Sequence, residues 1–213
     1  MGQAIQAQCK ILSDIKVNDF QAKEIDLKDV SVVIDFSSPE GFTNALTFCV
    51  KNKIPFISGT TGLAEKHFEQ VTTAKKIIPI LIASNMSLGI AKLKSSIDEY
   101  LISINTTVKC KIIEIHHTNK KDSPSGTALE IVRLLEKHHG NKIDGSIDVS
   151  SHRIGNIFGI HRIEFTNETG TKSFQHIASS RDVFALGALQ AARSINSMKI
   201  GEYSFTEFLK KKL

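Results

Sequence analysis

The 213-residue sequence has no tryptophan, two tyrosines and three cysteines. Cys9, Cys49 and Cys110 are odd in number and far apart, which argues against a disulfide framework or the spacing of a metal site. Unpaired thiols are typical of the reducing cytosol, so we expect a cytoplasmic protein. No apolar run approaches the roughly 20 residues of a membrane span, and the amino terminus lacks the layout of a signal peptide. We therefore expect no membrane association.

Arginine is also scarce, because 22 lysines but only five arginines carry the net charge of +5. Nucleic-acid-binding surfaces usually concentrate basic residues and add arginine or aromatic contacts to bases. Here the lysines are scattered, apart from the run Lys210–Lys212. We therefore predict no nucleic-acid partner. A lysine-rich module that binds nucleic acids or other anions is the alternative from a different class, and it would bind DNA or RNA in a salt-sensitive way.

The first half of the chain alternates strand and helix patterns. A near-continuous apolar, β-branched run at Val30–Phe36 indicates a parallel strand covered on both faces. Shorter strands are predicted at 53–59 and 77–84. Helices are predicted at 39–52, 64–76 and 89–104 from the spacing of their apolar residues. Strands that alternate with helices predict an α/β fold with a parallel, doubly wound sheet.

The pattern changes in the second half. A strand is predicted at 107–117 and a helix at 126–139, closed by Gly140 as its carboxyl-terminal cap. Segments 145–155, 159–167 and 171–179 alternate with period two, which predicts an antiparallel meander. Two helices, 182–196 and 201–212, would end the chain. The two patterns indicate two domains.

Three turns rich in glycine and hydroxyl residues follow the predicted strands of the first half. Their sequences are DFSSPEG (35–41), GTTG (59–62) and ASNMSLG (83–89). In α/β sheets, ligands bind beyond the carboxyl ends of the strands. Each turn alone is a weak signal, since Gly-Thr-Thr-Gly is also simply a good turn. Together, at equivalent positions, they favour a binding site.

The segment IIEIHHTNKKDSPSGTALEI (112–131) collects two imidazoles and two ammonium groups before a helix. His116 and His117 would point to opposite sides of a strand. They could not easily share one metal ion, and we predict no metal site. One imidazole can instead exchange a proton, and Lys120 just beyond it can deliver another.

The helix that follows has a start suited to anions. Pro124 suits a first turn, and either Ser125 or Thr127 can cap the helix, Thr127 in a box with Glu130. The N–H groups of Gly126 and Thr127 would lie at the positive end of the helix dipole, where a carboxylate or phosphate binds. A capped helix after a polar loop explains the same residues about equally well. Chemistry alone leaves both interpretations open.

These segments together resemble the dihydrodipicolinate reductase family. EIHHTNKKDSPSGTA (114–128) is similar to the family signature E-x-H-H-x-x-K-x-D-x-P-S-G-T-A. Segments similar to other family motifs follow the family's order, at 32–41, 59–62, 83–89, 151–165 and 176–192. The resemblance extends over nearly the whole chain from about Val30.

The resemblance implies a Rossmann-type, parallel-sheet domain formed by residues 1–87 and 181–213. Residues 88–180 would form an α+β domain with a mixed or antiparallel sheet, which binds substrate and mediates oligomerisation. The implied enzyme reduces 4-hydroxy-tetrahydrodipicolinate, a small dicarboxylate, to tetrahydrodipicolinate with NADPH or NADH. This reaction belongs to the diaminopimelate route to lysine, and the family is commonly homotetrameric.

The resemblance also implies roles for individual residues. His116 and Lys120 would be the catalytic pair that transfers protons. Four residues would bind substrate: His117, Ser125, Gly126 and Thr127. Nine residues would line the cofactor site: Met1, Phe36, Gly59, Thr60, Thr61, Ala83, Ser84, Asn85 and Met86. Met86 replaces the phenylalanine of some members.

The chain departs from the family pattern at its start. The family opens with a strand and a turn resembling G-x-x-G-x-M-G, whereas this sequence begins at Met1–Gly2, as if inside that turn. The helix after the turn would be Gln3–Ile15. We therefore expect the Val30–Phe36 strand to have an unpaired edge. The ribose contact that separates NADPH from NADH cannot be placed. A degenerate relative that does not bind nucleotide is the alternative.

Overall fold

The computed structural model describes residues 1–12, 14–18 and 27–210, which form two compact units. Unit 1 comprises Met1–Met86 and Asp182–Leu213, and unit 2 comprises Ser87–Arg181. Within the described ranges, no helix has both the length and the apolar character that crossing a bilayer requires. Of the lysine run at 210–212, the last two residues lie outside these ranges.

Helices and strands alternate along most of the chain. The helices are α1 (Gly2–Ile11), α2 (Pro39–Asn52), α3 (Glu65–Ala74), α4 (Leu88–Ser103), α5 (Gly126–Glu136), α6 (Asp182–Ile195) and α7 (Phe205–Lys210). The strands are β1 (Val33–Asp35), β2 (Phe56–Ser58), β3 (Pro79–Ile82), β4 (Lys109–His116), β5 (Asp148–Arg153), β6 (Ile160–Asn167), β7 (Gly170–Ile177) and β8 (Gly201–Tyr203).

Unit 1 contains a parallel sheet in the order β1-β2-β3-β8. This confirms the predicted parallel α/β architecture. Within the described residues β1 pairs only with β2, so it forms an edge of the sheet, as expected. Helix α1 packs on α6 through Ile5, Cys9, Ala185 and Leu189. Helix α2 has the predicted bounds, because its apolar spacing buries one face against β2 and α3.

Unit 2 contains a mixed sheet in the order β5-β4-β6-β7. Strands β4, β6 and β7 are antiparallel, but β5 runs parallel to β4. The prediction that all three late segments form one antiparallel meander was therefore wrong for β5. The physical reason is the connection, since β4 reaches β5 through helix α5, and a helical crossover joins parallel strands.

Two further boundaries differ from the predictions. Helix α5 ends at Glu136 with Lys137 as its cap, and Gly140 lies in the following turn with φ of 77°. The predicted helix over 201–212 begins as strand β8, and only Phe205–Lys210 is helical in the described part. Strand β8 pairs with β3 over three residues, which is too short to show an alternating pattern.

Candidate active site

Strand β4 places two ionisable side chains on one buried face. Glu114 and His116 are two residues apart, so both side chains point to the same side of the strand. Glu114 is fully buried and His116 is 7% exposed. His117 follows the end of the strand and is half-buried. Burial, together with Lys120 and Arg181, lowers the pKa of His117.

The carboxylate of Glu114 has three hydrogen-bond partners. Nδ1 of His116 bonds Oε2, Nη2 of Arg153 donates to Oε1 over 2.9 Å, and the backbone N–H of Ser125 donates to Oε1 over 3.2 Å. Burial acts to raise the pKa of Glu114, but the hydrogen bonds from His116 and Arg153 outweigh it and hold the pKa at about 2. Glu114 is therefore an ionised carboxylate near neutral pH.

Arg153 connects this carboxylate to the loop that carries Lys120. Its guanidinium also donates to the backbone carbonyls of Lys120 and Asp122. Nζ of Lys120 lies 2.8 Å from Oδ1 of Asp122, whose Oδ2 accepts from the N–H of Gly126 over 3.4 Å. Burial acts to raise the pKa of Asp122, but the hydrogen bond from Lys120 outweighs it, and the net pKa is lowered. Hydrogen bonds thus join His116, Lys120 and the start of α5.

Helix α5 begins at Gly126 with Ser125 as its N-cap. The Ser125 hydroxyl accepts from the N–H of Ala128 over 3.2 Å, which is the capping role that the sequence left open between Ser125 and Thr127. Pro124 consequently precedes the cap instead of lying in the first turn. Glu130 bonds Lys94. The start of α5 thus lies beside Glu114 and Asp122.

His161 completes the buried cluster from strand β6. It lies opposite Glu114 in the β4–β6 register, and its ring packs against that of His116 with centroids 5.0 Å apart. Its Nε2 lies 3.3 Å from the hydroxyl oxygen of Ser125. Burial, with a contribution from His116, lowers the pKa of His161 to about 3, so the imidazole is neutral.

The site contains four residues that were not predicted to be functional: Glu114, Asp122, Arg153 and His161. All four lie inside segments that resemble family motifs. Asp122 contacts Lys120 within one loop, whereas only the pairing of β4 with β5 and β6 brings the other three together.

Glu114, His116 and His161 could in principle offer ligand atoms to a metal ion, since those atoms lie within 4.8 Å of one another. Yet the carboxylate already binds the guanidinium of Arg153. A second cation would be repelled by the first and would have to compete for the same carboxylate. We therefore assign no metal to this cluster.

In unit 1, the first two predicted turns are joined by a buried carboxylate. Asp35 accepts from the hydroxyls of Ser58 over 2.8 Å and Thr60 over 2.7 Å, and from the N–H of Ser37 over 3.1 Å. The N–H of Gly59 donates to the backbone carbonyl of Asp35 over 2.8 Å. A Cβ at Gly59 would lie 2.0 Å from the ring of Phe36, so a larger residue there would require that ring to move.

The third turn lies at the same edge of the sheet. Ala83 donates its N–H to the carbonyl of Ser58 over 3.0 Å, and Met86 is fully buried. A Cβ at Gly187 would lie 1.7 Å from the carbonyl oxygen of Met86, so α6 approaches this turn closely. The remaining predicted cofactor residues are Thr61, which is exposed, Ser84 and Asn85, which are half-buried, and Met1, which precedes α1 and packs with Phe36 against the α1–α6 cluster.

Parallel strands with turns gathered at their carboxyl edge, and a separate mixed sheet carrying ionisable side chains, define a two-domain α/β protein of the class that binds ligands at that edge of the parallel sheet. The family model described as "Dihydrodipicolinate reductase, N-terminus" matches residues 1–86, and the one described as "Dihydrodipicolinate reductase, C-terminus" matches residues 90–209. The chain therefore belongs to the dihydrodipicolinate reductase family.

Individual relatives agree with this membership. The chain is 37% identical to the 4-hydroxy-tetrahydrodipicolinate reductase of Alkaliphilus metalliredigens over 84% of this chain and 80% of the relative. It is 31% identical to the reductase of that name from Rickettsia rickettsii over 99% and 95%. A dipicolinate-bound dihydrodipicolinate reductase from Paenisporosarcina sp. TG-14 shares the fold, with a TM-score of 0.66, 19% identity and coverage of 82% and 71%.

Proposed function

We propose that this protein reduces 4-hydroxy-tetrahydrodipicolinate to tetrahydrodipicolinate with NADPH or NADH, in lysine biosynthesis through diaminopimelate. Membership of the family and relatives that bear this enzyme's name support the reaction. The single structural observation that carries it is the hydrogen-bonded assembly in unit 2. There an imidazole, an ammonium group and a helix amino terminus are joined by two carboxylates.

The start of α5 holds a carboxylate of the substrate. The amides of Gly126 and Thr127 are the donors, at the positive end of an 11-residue helix. The contact between the N–H of Gly126 and Asp122 supports this role, because that amide already interacts with a carboxylate. Ser125 caps the helix, and His117 contributes a further polar contact to the substrate.

His116 and Lys120 transfer protons in the reaction. A reduced nicotinamide nucleotide would supply the hydride when it is bound, and the 4-hydroxyl group of the substrate leaves as water with the proton that the reaction consumes. Lys120 carries an ammonium group that can release a proton, and His116 exchanges one through its imidazole. Asp122 orients the ammonium group through its 2.8 Å contact.

The turns of unit 1 hold the nucleotide. They lie at the carboxyl edge of a parallel sheet, where this class of fold binds its ligands. Phe36 packs closely on Gly59 in this turn, where Thr61 is exposed and Thr60 is buried with its hydroxyl on Asp35. Ala83–Met86 forms the adjacent turn, and Met1 lies at the amino end of α1. These turns suit a nicotinamide nucleotide, and we propose either NADPH or NADH.

We further propose a homotetramer located in the cytoplasm. The resemblance to the family supports the tetramer, which light scattering would detect at four times the chain mass of 23.5 kDa. Three free, buried cysteines support a reducing compartment. A scattering mass of one or two chains would contradict the tetramer.

Substrate-dependent oxidation of NADPH and of NADH tests the reaction. The variants His116→Gln and Lys120→Ala should each lose roughly 100-fold or more in kcat, the usual contribution of a positioned acid or base. Lys121→Ala is the matched control, because Lys121 is the exposed neighbour of Lys120 and should keep wild-type turnover. Unchanged turnover in both His116 and Lys120 variants would reject the assigned roles.

One observation favours a second candidate, a relative that folds but does not bind nucleotide. Within the described residues β1 has a partner on one side only, so backbone donors from a neighbouring strand and turn are not part of the described sheet. Calorimetric titration with NADPH separates the two candidates. Binding excludes the degenerate relative, whereas the absence of binding supports it.

A further inference from the structure

The carboxylate of Glu114 contacts one group from each part of the unit 2 site. Its partners are the imidazole of His116, the guanidinium of Arg153 and the first backbone amide before α5, that of Ser125. Arg153 in turn bonds the backbone of the loop that carries Lys120. A single fully buried side chain therefore links the imidazole, the lysine loop and the helix start.

An ionised carboxylate can only accept hydrogen bonds. Nδ1 of His116 must therefore carry a proton and donate it to Oε2 of Glu114. In the neutral imidazole this leaves Nε2 as the unprotonated nitrogen. A Cβ placed on Gly159 would lie only 3.1 Å from Nε2, so the glycine keeps side-chain atoms away from that nitrogen.

We propose that Glu114 is a positioning residue that fixes the tautomer of His116, so that Nε2 is the atom that exchanges a proton during reduction. The same carboxylate holds the start of α5 and, through Arg153, the Lys120 loop in register with that nitrogen. Glu114 acts through His116 and does not itself touch the substrate. This inference rests on the proposed function, because it assigns a task to one of its catalytic residues.

The variant Glu114→Gln should change the tautomer of His116 while keeping the hydrogen bonds from Arg153 and Ser125. Nη2 of Arg153 and the N–H of Ser125 are both donors and both face Oε1. The amide oxygen of glutamine must remain at that position, so its NH₂ group faces Nδ1 of His116. That NH₂ group is a donor, which forces Nδ1 to accept and moves the proton to Nε2.

Steady-state kinetics should show a loss in kcat with little change in KM. We expect kcat of Glu114→Gln to fall about 100-fold or more, as when an imidazole is held in the wrong tautomer, with KM changed by less than about threefold. Glu164→Gln is the matched control, because Glu164 lies on the adjacent strand β6 and pairs with Arg162 near the surface. It should leave both constants unchanged. A kcat of Glu114→Gln within about threefold of wild type would overturn the proposal.

Nitrogen NMR of the His116 ring tests the proposal without relying on activity. At a pH where His116 is neutral, we expect the proton on Nδ1 in the wild type and on Nε2 in Glu114→Gln. A wild-type ring protonated on Nε2 overturns the proposal, even if the variant does not fold. If the wild type has no reductase activity, the proposed function fails, and the ring spectrum alone decides the role of Glu114.

Discussion

Each unit buries a carboxylate near the end of a strand, but the two carboxylates have different partners. Asp35 in unit 1 accepts hydrogen bonds from the hydroxyls of Ser58 and Thr60 and from the Ser37 amide. Glu114 in unit 2 accepts from an imidazole and a guanidinium. Neutral donors fix the shape of a turn. Charged and titratable donors also determine where protons lie, and for this reason we propose that the proton-transfer residues belong to unit 2.

The largest expected difference concerns the removal of each carboxylate. Glu114→Ala leaves the guanidinium of Arg153 without its buried counter-ion, which should lower the free energy of unfolding by about 3–5 kcal/mol. Urea denaturation followed by circular dichroism measures the change. Glu164→Ala is the control on the neighbouring strand. A decrease of less than about 1 kcal/mol in the free energy of unfolding would show that the contact between Glu114 and Arg153 contributes little to stability.

Asp35→Ala should have a smaller effect, because only neutral donors lose their acceptor. We expect the free energy of unfolding to fall by about 2–3 kcal/mol, since the hydroxyls can turn to other acceptors. The ring spectrum of His116 should stay as in the wild type, because Asp35 belongs to unit 1. If Asp35→Ala lost more free energy of unfolding than Glu114→Ala in the same urea experiment, the predicted difference between the two carboxylates would be wrong.

The buried imidazole of His161 should make the stability of unit 2 depend on pH. Its pKa in the folded state is about 3, below its ordinary value of 6.5, so between these values the unfolded chain binds a proton that the folded chain does not. Its contribution to stability is therefore present above pH 6.5 and is lost as the pH falls towards 3. The loss between pH 7 and pH 5 should be roughly 2 kcal/mol.

The variant His161→Phe keeps an aromatic ring but cannot bind that proton. Its free energy of unfolding should decline less steeply than that of the wild type between pH 7 and pH 5, in urea titrations at each pH. Identical slopes for the two proteins would contradict the low pKa of His161.

The smallest expected effect concerns Asp122, which interacts with both Lys120 and the N–H of Gly126. A ligand carboxylate that binds the N–H of Gly126 must replace Oδ2 of Asp122 there, while Oδ1 can keep its contact with Lys120. Asp122→Asn should tighten the binding of dipicolinate about threefold, the scale of one exposed ion pair. Calorimetry measures the change. Asp144→Asn removes the same charge from an exposed turn of unit 2 and should have no effect. Weaker binding by Asp122→Asn would mean that Asp122 assists the ligand.

The fold was predicted best where a segment is long and amphipathic. Helix α2 has the predicted bounds, and α4 differs by one residue at each end, because a regular apolar face is buried over several turns. Strand β8 was missed, since three residues carry no periodic signal. The direction of β5 was also missed, because alternation reveals a strand but not the strand it pairs with.

The sequence by itself determined the local chemistry of the site: His116, Lys120 and the capped start of α5 lie within one short segment, and that segment places the chain in its family. Only the tertiary structure decided which groups from distant segments surround Glu114 and His116. Arg153 comes from β5 and His161 from β6, 39 and 47 positions beyond Glu114 in the chain. Their approach depends on strand order and register, which arise from burial of the whole sheet and are not encoded in any single stretch of residues.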